Sequence, residues 1–163
     1  MGITRVDMNI SLDGYATTVD QTPDDPFGLY AHPGDPDWRG WWGENPPFGC
    51  PVFVLTHETR PSLEMEGGTT FHFVQGDPAA VLAQAQEAAG GRDVRIGGGV
   101  TVVRDFLRAG LVDRLHVGIA PIPLGRGERI WEGLRGLEET HAVTSEVAES
   151  GTIHVTFERS ARR

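Results

Sequence analysis

The stretch DVRIGGGVTVVRDFLRAGLVDRL, residues 93–115, contains the only run of three adjacent glycines in the chain. The residues before the glycines predict a short strand, and residues 100–110 have the apolar spacing of an amphipathic helix that ends near Gly110. A glycine loop between a strand and a helix lets a ligand approach the backbone while the helix N-terminus directs free N–H groups towards it. The stretch therefore indicates a phosphate site, with a tight turn that binds nothing as the alternative.

Strands and helices alternate on both sides of this stretch. The predicted elements are strands at 3–12, 52–55 and 69–75, a helix at 78–90, a strand at 93–96, a helix at 100–110, a strand at 115–121 and a hairpin over 140–159. The first strand should bury alternate residues up to Leu12. This order predicts an α/β fold whose mixed, mostly parallel sheet is flanked by helices and closed by a C-terminal antiparallel hairpin.

One long segment interrupts the pattern. Residues 17–49 show no period and contain six prolines, which prevent regular elements. We therefore expect a long irregular loop within a single domain that spans residues 1–163. Loops of this length in compact domains are usually functional or disordered.

Composition argues against several function classes. The formal charge of −9 repels nucleic-acid backbones and anionic membrane surfaces. Cys50 is the only cysteine, so neither an intramolecular disulfide nor a cysteine-based zinc site is available. The sequence lacks the apolar core of a signal peptide and the apolar length of a membrane span. We expect a cytoplasmic protein that binds a small molecule rather than a nucleic acid or a membrane.

Two further segments place polar groups directly after predicted strands. PLGRGER, residues 123–129, offers glycines and two arginines to a charged ligand, and a plain connection is the alternative. VLTHETR, residues 54–60, places Thr56, His57 and Arg60 where open α/β sheets bind ligands. A capped strand end would explain this second segment without a ligand.

The first strand carries a polar face near its end. Asn9, Ser11 and Asp13 stand at alternate positions and so project to one side. Such groups are costly to bury unless they form hydrogen bonds, which indicates either a polar ligand or the capping of a turn.

Aromatic residues concentrate in WRGWWGENPPFG, residues 38–49. Its rings, Trp42 among them, could stack on a flat ligand, although covering the core or a subunit contact explains them as well. The six histidines show no metal-binding spacing, and the dinucleotide fingerprint, the Walker motif and the G-x-S-x-G elbow are missing.

Taken together, NISLDGY at 9–15, VFVLTHETRP at 52–61 and the long segment from DVRIGGG to LGRGERIWEGL resemble the dihydrofolate reductase-like family. They are most similar to stand-alone relatives of the C-terminal reductase domain of bacterial riboflavin biosynthesis. The likeness covers most of residues 3–16 and 50–158. It implies a dihydrofolate reductase-like sheet that binds NADPH and transfers a hydride to a pterin-like or pyrimidine-like substrate, commonly in a homodimer.

The resemblance also implies where the cofactor and the substrate bind. The triple glycine would meet the cofactor pyrophosphate, the strand end near residue 56 would meet the adenosine 2′-phosphate, and the loop at 124–127 would close the cofactor cleft. The expected cofactor-binding residues are Thr56, His57, Gly97, Gly98, Gly99, Val100, Thr101, Leu124, Gly125 and Gly127. The expected substrate-binding residues are Asn9, Ser11, Leu12, Gly14 and Trp42. Asp13 is our candidate catalytic residue, for hydrogen bonding to the substrate or for proton delivery.

One departure from the resemblance bears on function. Relatives carry a helix and a strand that ends in a Gly-Arg pair, whereas HPGDP, residues 32–36, stands in that place here and the chain is shorter by about 40 residues. Our leading hypothesis is an NADPH-dependent reductase of a small heteroaromatic or carbonyl substrate that acts mainly by orienting nicotinamide and acceptor. The missing strand favours the alternative, a non-catalytic protein that binds a small molecule on the same fold.

Overall fold

The computed structural model describes residues 2–17 and 38–160. These residues fall into two compact units. The first unit contains residues 2–17 and 92–160, and the second contains residues 38–91. The expectation of a single domain stays a prediction.

The elements of both units follow in chain order. The strands are β1 Thr4–Ser11, β2 Tyr15–Thr17, β3 Pro51–Leu55, β4 Leu63–Glu64, β5 Thr70–Val74, β6 Val94–Ile96, β7 Arg114–Ala120, β8 Glu128–Arg129, β9 His141–Val147 and β10 Ile153–Arg159. The helices are α1 Pro78–Ala89, α2 Val100–Arg108 and α3 Leu137–Thr140, with a 3₁₀ turn at Glu66–Gly68.

The first unit is built on a five-stranded sheet in the order β6-β1-β7-β10-β9. Strand β1 runs parallel to both β6 and β7, while β10 pairs antiparallel with β7 and β9. Strands β2 and β8 form a separate antiparallel pair that the sequence did not reveal. The mixed α/β fold with a C-terminal hairpin, as predicted, is confirmed.

Alternating burial along β1 shows how this sheet forms its core. Val6 and Ile10 are buried on one side, together with Leu115 and Val117 of β7. Helix α2 adds four buried side chains at helical spacing, and burying an aliphatic side chain contributes about 1.5–3 kcal/mol. These are Val100, Val103, Phe106 and Leu107. The prediction was wrong at Leu12, which is 58% exposed, because the strand ends at Ser11 and the chain turns there.

Asp113 ties the starts of β1 and β7 to the end of β10. Its carboxylate accepts a hydrogen bond from the Thr4 backbone N–H at 2.8 Å and one from the Arg159 side chain at 3.1 Å. Its own N–H donates to the Thr4 carbonyl at 2.8 Å. Asp113 therefore fixes β1, β7 and β10 at one end, which explains an acidic residue after the apolar GLV of the opening stretch.

The second unit has its own sheet and aromatic core. Strand β5 lies between β3, which is parallel to it, and β4, which is antiparallel. Helix α1 begins as predicted, with the Asp77 carboxylate accepting from two backbone N–H groups, and Gly90 adopts the left-handed conformation after its end. Trp38, Val54 and Phe71 form the buried centre.

The predicted long loop is only partly described. Residues 38–49 form bends and turns without a strand, in agreement with the prediction. The HPGDP segment at 32–36 lies outside the described residues. Across residues 2–17 and 38–160, no helix combines the length and the apolar character that crossing a membrane requires.

Candidate functional site

A turn between β1 and β2 carries the densest group of polar contacts in the candidate site. The Ser11 hydroxyl donates to Asp13 Oδ1 at 2.6 Å and accepts from the Tyr15 backbone N–H at 3.0 Å. Ser11 is buried, and its two hydrogen bonds offset the loss of contact with water. The turn closes with the Gly14 N–H donating to the Ser11 carbonyl at 2.9 Å.

The Asp13 carboxylate also reaches the loop after β7. Leu124 N–H donates to its Oδ1 at 3.0 Å, and Gly125 N–H donates to its Oδ2 at 2.7 Å. A third bond joins the two segments, from the Leu12 N–H to the Ile122 carbonyl at 2.9 Å. Residues 11–14 and 122–125 therefore form one hydrogen-bonded structure.

These contacts favour the ionised form of Asp13. The Ser11 hydroxyl, followed by the Leu124 N–H, lowers the pKa of Asp13 from 3.8 to about 2, against an opposing effect of desolvation. At neutral pH the side chain carries a negative charge and has no proton to give. The geometry thus favours a positioning role over the proton delivery that we considered from sequence, although the catalytic assignment itself stays a prediction.

A recess of about 390 Å³ opens beside this turn. It is lined by Asp13, Tyr15, Gly127, Arg129, Trp131 and Glu132. The Arg129 guanidinium lies 4.7 Å from the centre of the Tyr15 ring, within the range of a cation–π contact. Sequence reasoning missed Tyr15, Trp131 and Glu132 as lining residues, and the available signal was the position of Tyr15 directly after the Asp-Gly turn.

Helix α2 holds the segment that carries two of the lining residues, Arg129 and Glu132. Arg104 donates to the Glu132 carboxylate at 2.9 Å and to the Arg129 carbonyl at 3.3 Å. Arg108 donates to the Glu132 carbonyl at 2.8 Å. The segment that follows the 124–127 loop is therefore fastened to the helix that follows the triple glycine.

The triple glycine itself is open. A Cβ built on Gly97, Gly98 or Gly99 would meet no atom within 4 Å, and Gly99, the N-cap residue before α2, provides no side-chain cap. Gly98 has φ +122°, which other residues rarely adopt, whereas Gly99 has φ −65°. Glycine at 99 is thus explained neither by its own conformation nor by its neighbours within the described chain, whereas a ligand close to the backbone would explain it.

The residues after the glycines divide between core and surface. Val100 is completely buried, so only its backbone could meet a ligand, while Thr101 is exposed. This arrangement suits a pyrophosphate, because uncapped N–H groups at the first turn of a helix are anion donors.

The remaining substrate candidates of the first unit lie along or beside β1. Asn9 is exposed and pairs in register with Gly118, where a Cβ would come within 2.6 Å of the Asn9 side-chain oxygen. Gly14 is buried beside Trp131, whose ring would lie 3.2 Å from a Cβ at that position. Leu12 is exposed at the turn.

Three predicted site residues belong to the second unit. The Thr56 hydroxyl accepts from the Glu58 N–H at 3.1 Å, and the His57 carbonyl accepts from Gln75 at 2.9 Å. These contacts fit the capped strand end that was the alternative explanation. Trp42 is 60% exposed, has φ +66° and contacts the edge of Phe48 with ring centres 5.5 Å apart.

Among residues 2–17 and 38–160, no group of three or more histidine, cysteine, aspartate or glutamate side chains is placed to hold a metal ion.

Comparison with known proteins identifies related families and folds. The model of the RibD C-terminal domain family matches residues 34–154 of this chain. No curated protein sequence matches it.

Three solved structures illustrate the shared fold. A riboflavin biosynthesis protein described as putative, from Shewanella sp. PV-4, has 22% identity and a TM-score of 0.63, covering 98% of this chain and 99% of that chain. A pyrimidine reductase-like protein from Corynebacterium diphtheriae has 16% identity and a TM-score of 0.58, covering 99% and 93%. Dihydrofolate reductase from Enterococcus faecalis, complexed with NADP(H), has 16% identity and a TM-score of 0.58, covering 98% of each chain. These likenesses confirm the predicted dihydrofolate reductase-like fold.

Proposed function

Because this chain belongs to the RibD C-terminal domain family, we propose that it is an NADPH-dependent reductase of a small heteroaromatic or carbonyl substrate. The heteroaromatic substrate would be pterin-like or pyrimidine-like. The names of the similar structures support this class of reaction, since they include a pyrimidine reductase-like protein and a dihydrofolate reductase complexed with NADP(H).

One observation carries the proposal. The N-terminus of α2 offers uncapped backbone N–H groups below three exposed glycines that have open space above them. A dinucleotide cofactor needs such a cradle for its pyrophosphate, because the charge must approach the backbone closely. The described residues therefore fit NADPH at this loop.

The protein's own contribution would be binding and orientation. Residues 97–101 would hold the pyrophosphate, and the turn at 11–14 with the adjoining recess would hold the substrate. NADPH, when bound, supplies the hydride. Ordered side chains around the recess, such as Tyr15 and Arg129, would limit the positions that a flat substrate can take.

Other parts of the proposal concern the second unit and assembly. Contacts of Thr56 and His57 with the cofactor 2′-phosphate, of Trp42 with the substrate, and the formation of a homodimer stay predictions. The exposed Trp42, held in a left-handed conformation, favours a second candidate function, the non-catalytic binding of a flat ligand.

The test is a titration with NADPH followed by nicotinamide fluorescence, with Gly99→Ala as the variant. Alanine is compatible with the backbone conformation of Gly99 and would contact no atom of the described chain, so the fold should persist. Its methyl group would instead occupy the space above the helix N-terminus, and we expect NADPH affinity to fall by about tenfold or more, which is the loss of one or two hydrogen bonds to a charged group. A thermal melt of both proteins serves as the control for folding.

Two outcomes would contradict the proposal. Equal affinity of the wild type and Gly99→Ala would show that the cofactor does not lie at this loop. No binding by the wild type at millimolar NADPH, combined with quenching of tryptophan fluorescence by a flat aromatic compound, would favour the non-catalytic binding protein instead.

A further inference from the structure

The contact between Asp13 and residues 124–125 joins parts of the chain that are far apart in sequence. Leu124 and Gly125 are 111 and 112 residues away from the carboxylate that accepts their N–H groups. Both oxygens are used, and Oδ1 also receives the Ser11 hydroxyl at 2.6 Å. The carboxylate thus occupies the place that an external anion could take on these two donors.

The loop that Asp13 holds is otherwise at the surface. Residues 121–126 are all exposed, and Gly127 and Arg129, which follow them, line the recess. The bond from Leu12 N–H to the Ile122 carbonyl fixes only the start of this loop. The two bonds to Asp13 hold the tip of the loop against the 12–14 turn.

The charged form of Asp13 suits this geometry best. All three groups around the carboxylate donate to it, and a carboxylate is a stronger acceptor than a carboxylic acid, so protonation would weaken these bonds. The contact thus favours the charged form, whereas proton delivery requires the protonated form.

We propose that Asp13 is a positioning residue whose carboxylate latches loop 121–127 onto the turn at 12–14 and so fixes one wall of the recess. The latch itself stands on the hydrogen-bond geometry. Its effect on ligand binding rests on the proposed function, in which this loop closes the cofactor site.

The structural test is backbone amide hydrogen exchange, measured by NMR on Asp13→Asn. Asparagine keeps the shape of the side chain, but its NH₂ group cannot accept a hydrogen bond, so at least one of the two N–H groups loses its partner. We expect protection at Leu124 or Gly125 to fall by about tenfold or more, which is the loss of one charge-assisted hydrogen bond. A thermal melt verifies that the variant is folded.

Asp93→Asn provides a matched control. Asp93 also accepts a backbone N–H from a distant residue, Ile3, at 3.0 Å, but it lies outside the recess lining. Because only one oxygen of Asp93 accepts this bond, asparagine can keep it through its amide oxygen, so the variant should retain protection at Ile3 as well as at Leu124 and Gly125. Unchanged exchange at Leu124 and Gly125 in Asp13→Asn would overturn the latch.

The functional test is the NADPH dissociation rate, measured by stopped-flow fluorescence. A latched loop should slow cofactor release, so we expect Asp13→Asn to release NADPH about tenfold faster, the loss of one charge-assisted bond, with little change in the association rate. An unchanged dissociation rate in a variant that has lost amide protection would overturn the positioning role. If the wild type does not bind NADPH, the proposed function fails, and the exchange experiment still decides whether the latch exists.

Discussion

Two glycine-rich loops of the first unit share a sequence pattern but differ in what their backbone donors contact. Loop 97–99 follows β6 and opens onto an uncapped helix N-terminus with free space above each glycine. Loop 124–127 follows β7, and two of its N–H groups already bind the carboxylate of Asp13. One loop is open to an external anion, whereas the other has an anion supplied by its own chain.

This difference limits what a glycine pattern can predict. Glycines after a strand indicate that backbone N–H groups converge, which makes an anion site. They do not indicate whether a side chain elsewhere in the sequence already fills it. We therefore assign pyrophosphate binding to loop 97–99, and we assign closure of the cofactor site to loop 124–127.

The largest effect should come from breaking the open loop. Gly98 has φ +122°, which a β-branched residue cannot adopt without strain, so Gly98→Val must displace the backbone above α2. We expect a loss of about 1–3 kcal/mol in the free energy of unfolding and no measurable NADPH binding. Denaturant unfolding and the fluorescence titration check the two expectations.

The matched change in the other loop is Gly125→Val, at φ +76°. It should cost similar stability but leave part of the NADPH affinity, since the pyrophosphate is not bound there. Equal loss of affinity in both variants would contradict the division of roles between the loops.

A smaller effect should come from the helix that connects the two loops. Arg104 is only 14% exposed and binds the Glu132 carboxylate and the Arg129 carbonyl. Arg104→Gln should therefore lower the free energy of unfolding by roughly 1–2 kcal/mol, because a mostly buried arginine loses its packing and two exposed acceptors lose a charged donor. Denaturant unfolding measures this change.

Arg108→Gln is the control for Arg104. Arg108 contacts the same segment through the Glu132 carbonyl but is 44% exposed, so its loss should cost about 1 kcal/mol or less. An NADPH affinity of Arg104→Gln within about twofold of the wild type would show that the change beside loop 124–127 does not affect cofactor binding at loop 97–99. For scale, a loss of about 1.4 kcal/mol in binding free energy lowers the affinity tenfold. A loss larger than twofold would show that α2 couples the two loops.

Local sequence signals predicted much of this fold correctly. Helix α1 could be read from Asp77-Pro78 at its start and Gly90 at its end, and α2 from its apolar spacing, because caps and periodicity are local. The failure at Leu12 has an equally local cause, since alternation cannot say where a strand ends in a turn. The pair of β2 with β8 depends on contacts between Tyr15 and Arg129, which no local pattern encodes.

The candidate site was harder to predict for the same reason. The alternation of Asn9, Ser11 and Asp13 predicted polar groups on one face, explained by either a ligand or turn capping, but β1 ends at Ser11 and Asp13 lies in the turn that follows. The capping of Asp13 by residues 124 and 125 depends on tertiary folding. The Thr56 hydroxyl, in contrast, accepts a hydrogen bond from the nearby Glu58 N–H, a local contact that a hydroxyl at a strand end commonly makes.

The smallest effect, and the most direct test of the filled loop, is the titration of Asp13. Its pKa should lie at about 2 rather than 3.8, measured by carboxyl carbon shifts in NMR, with the Ser11 hydroxyl as the largest cause. Ser11→Ala should raise this pKa towards 3.8 without restoring that value, because the Leu124 and Gly125 N–H groups remain.

The same pKa makes the stability of the fold depend on pH. Since the pKa of Asp13 is lower in the folded state, the stabilisation that its carboxylate contributes to the fold is fully present above pH 3.8 and is lost as pH falls through about 2. The stability difference between wild type and Asp13→Asn should thus be constant from about pH 5 to 8 and shrink only in acid, since an aspartate in an unfolded chain has a pKa of about 3.9. A pKa of Asp13 above 3.8 would mean that its two loop donors are not bound, and the two glycine loops would then no longer differ.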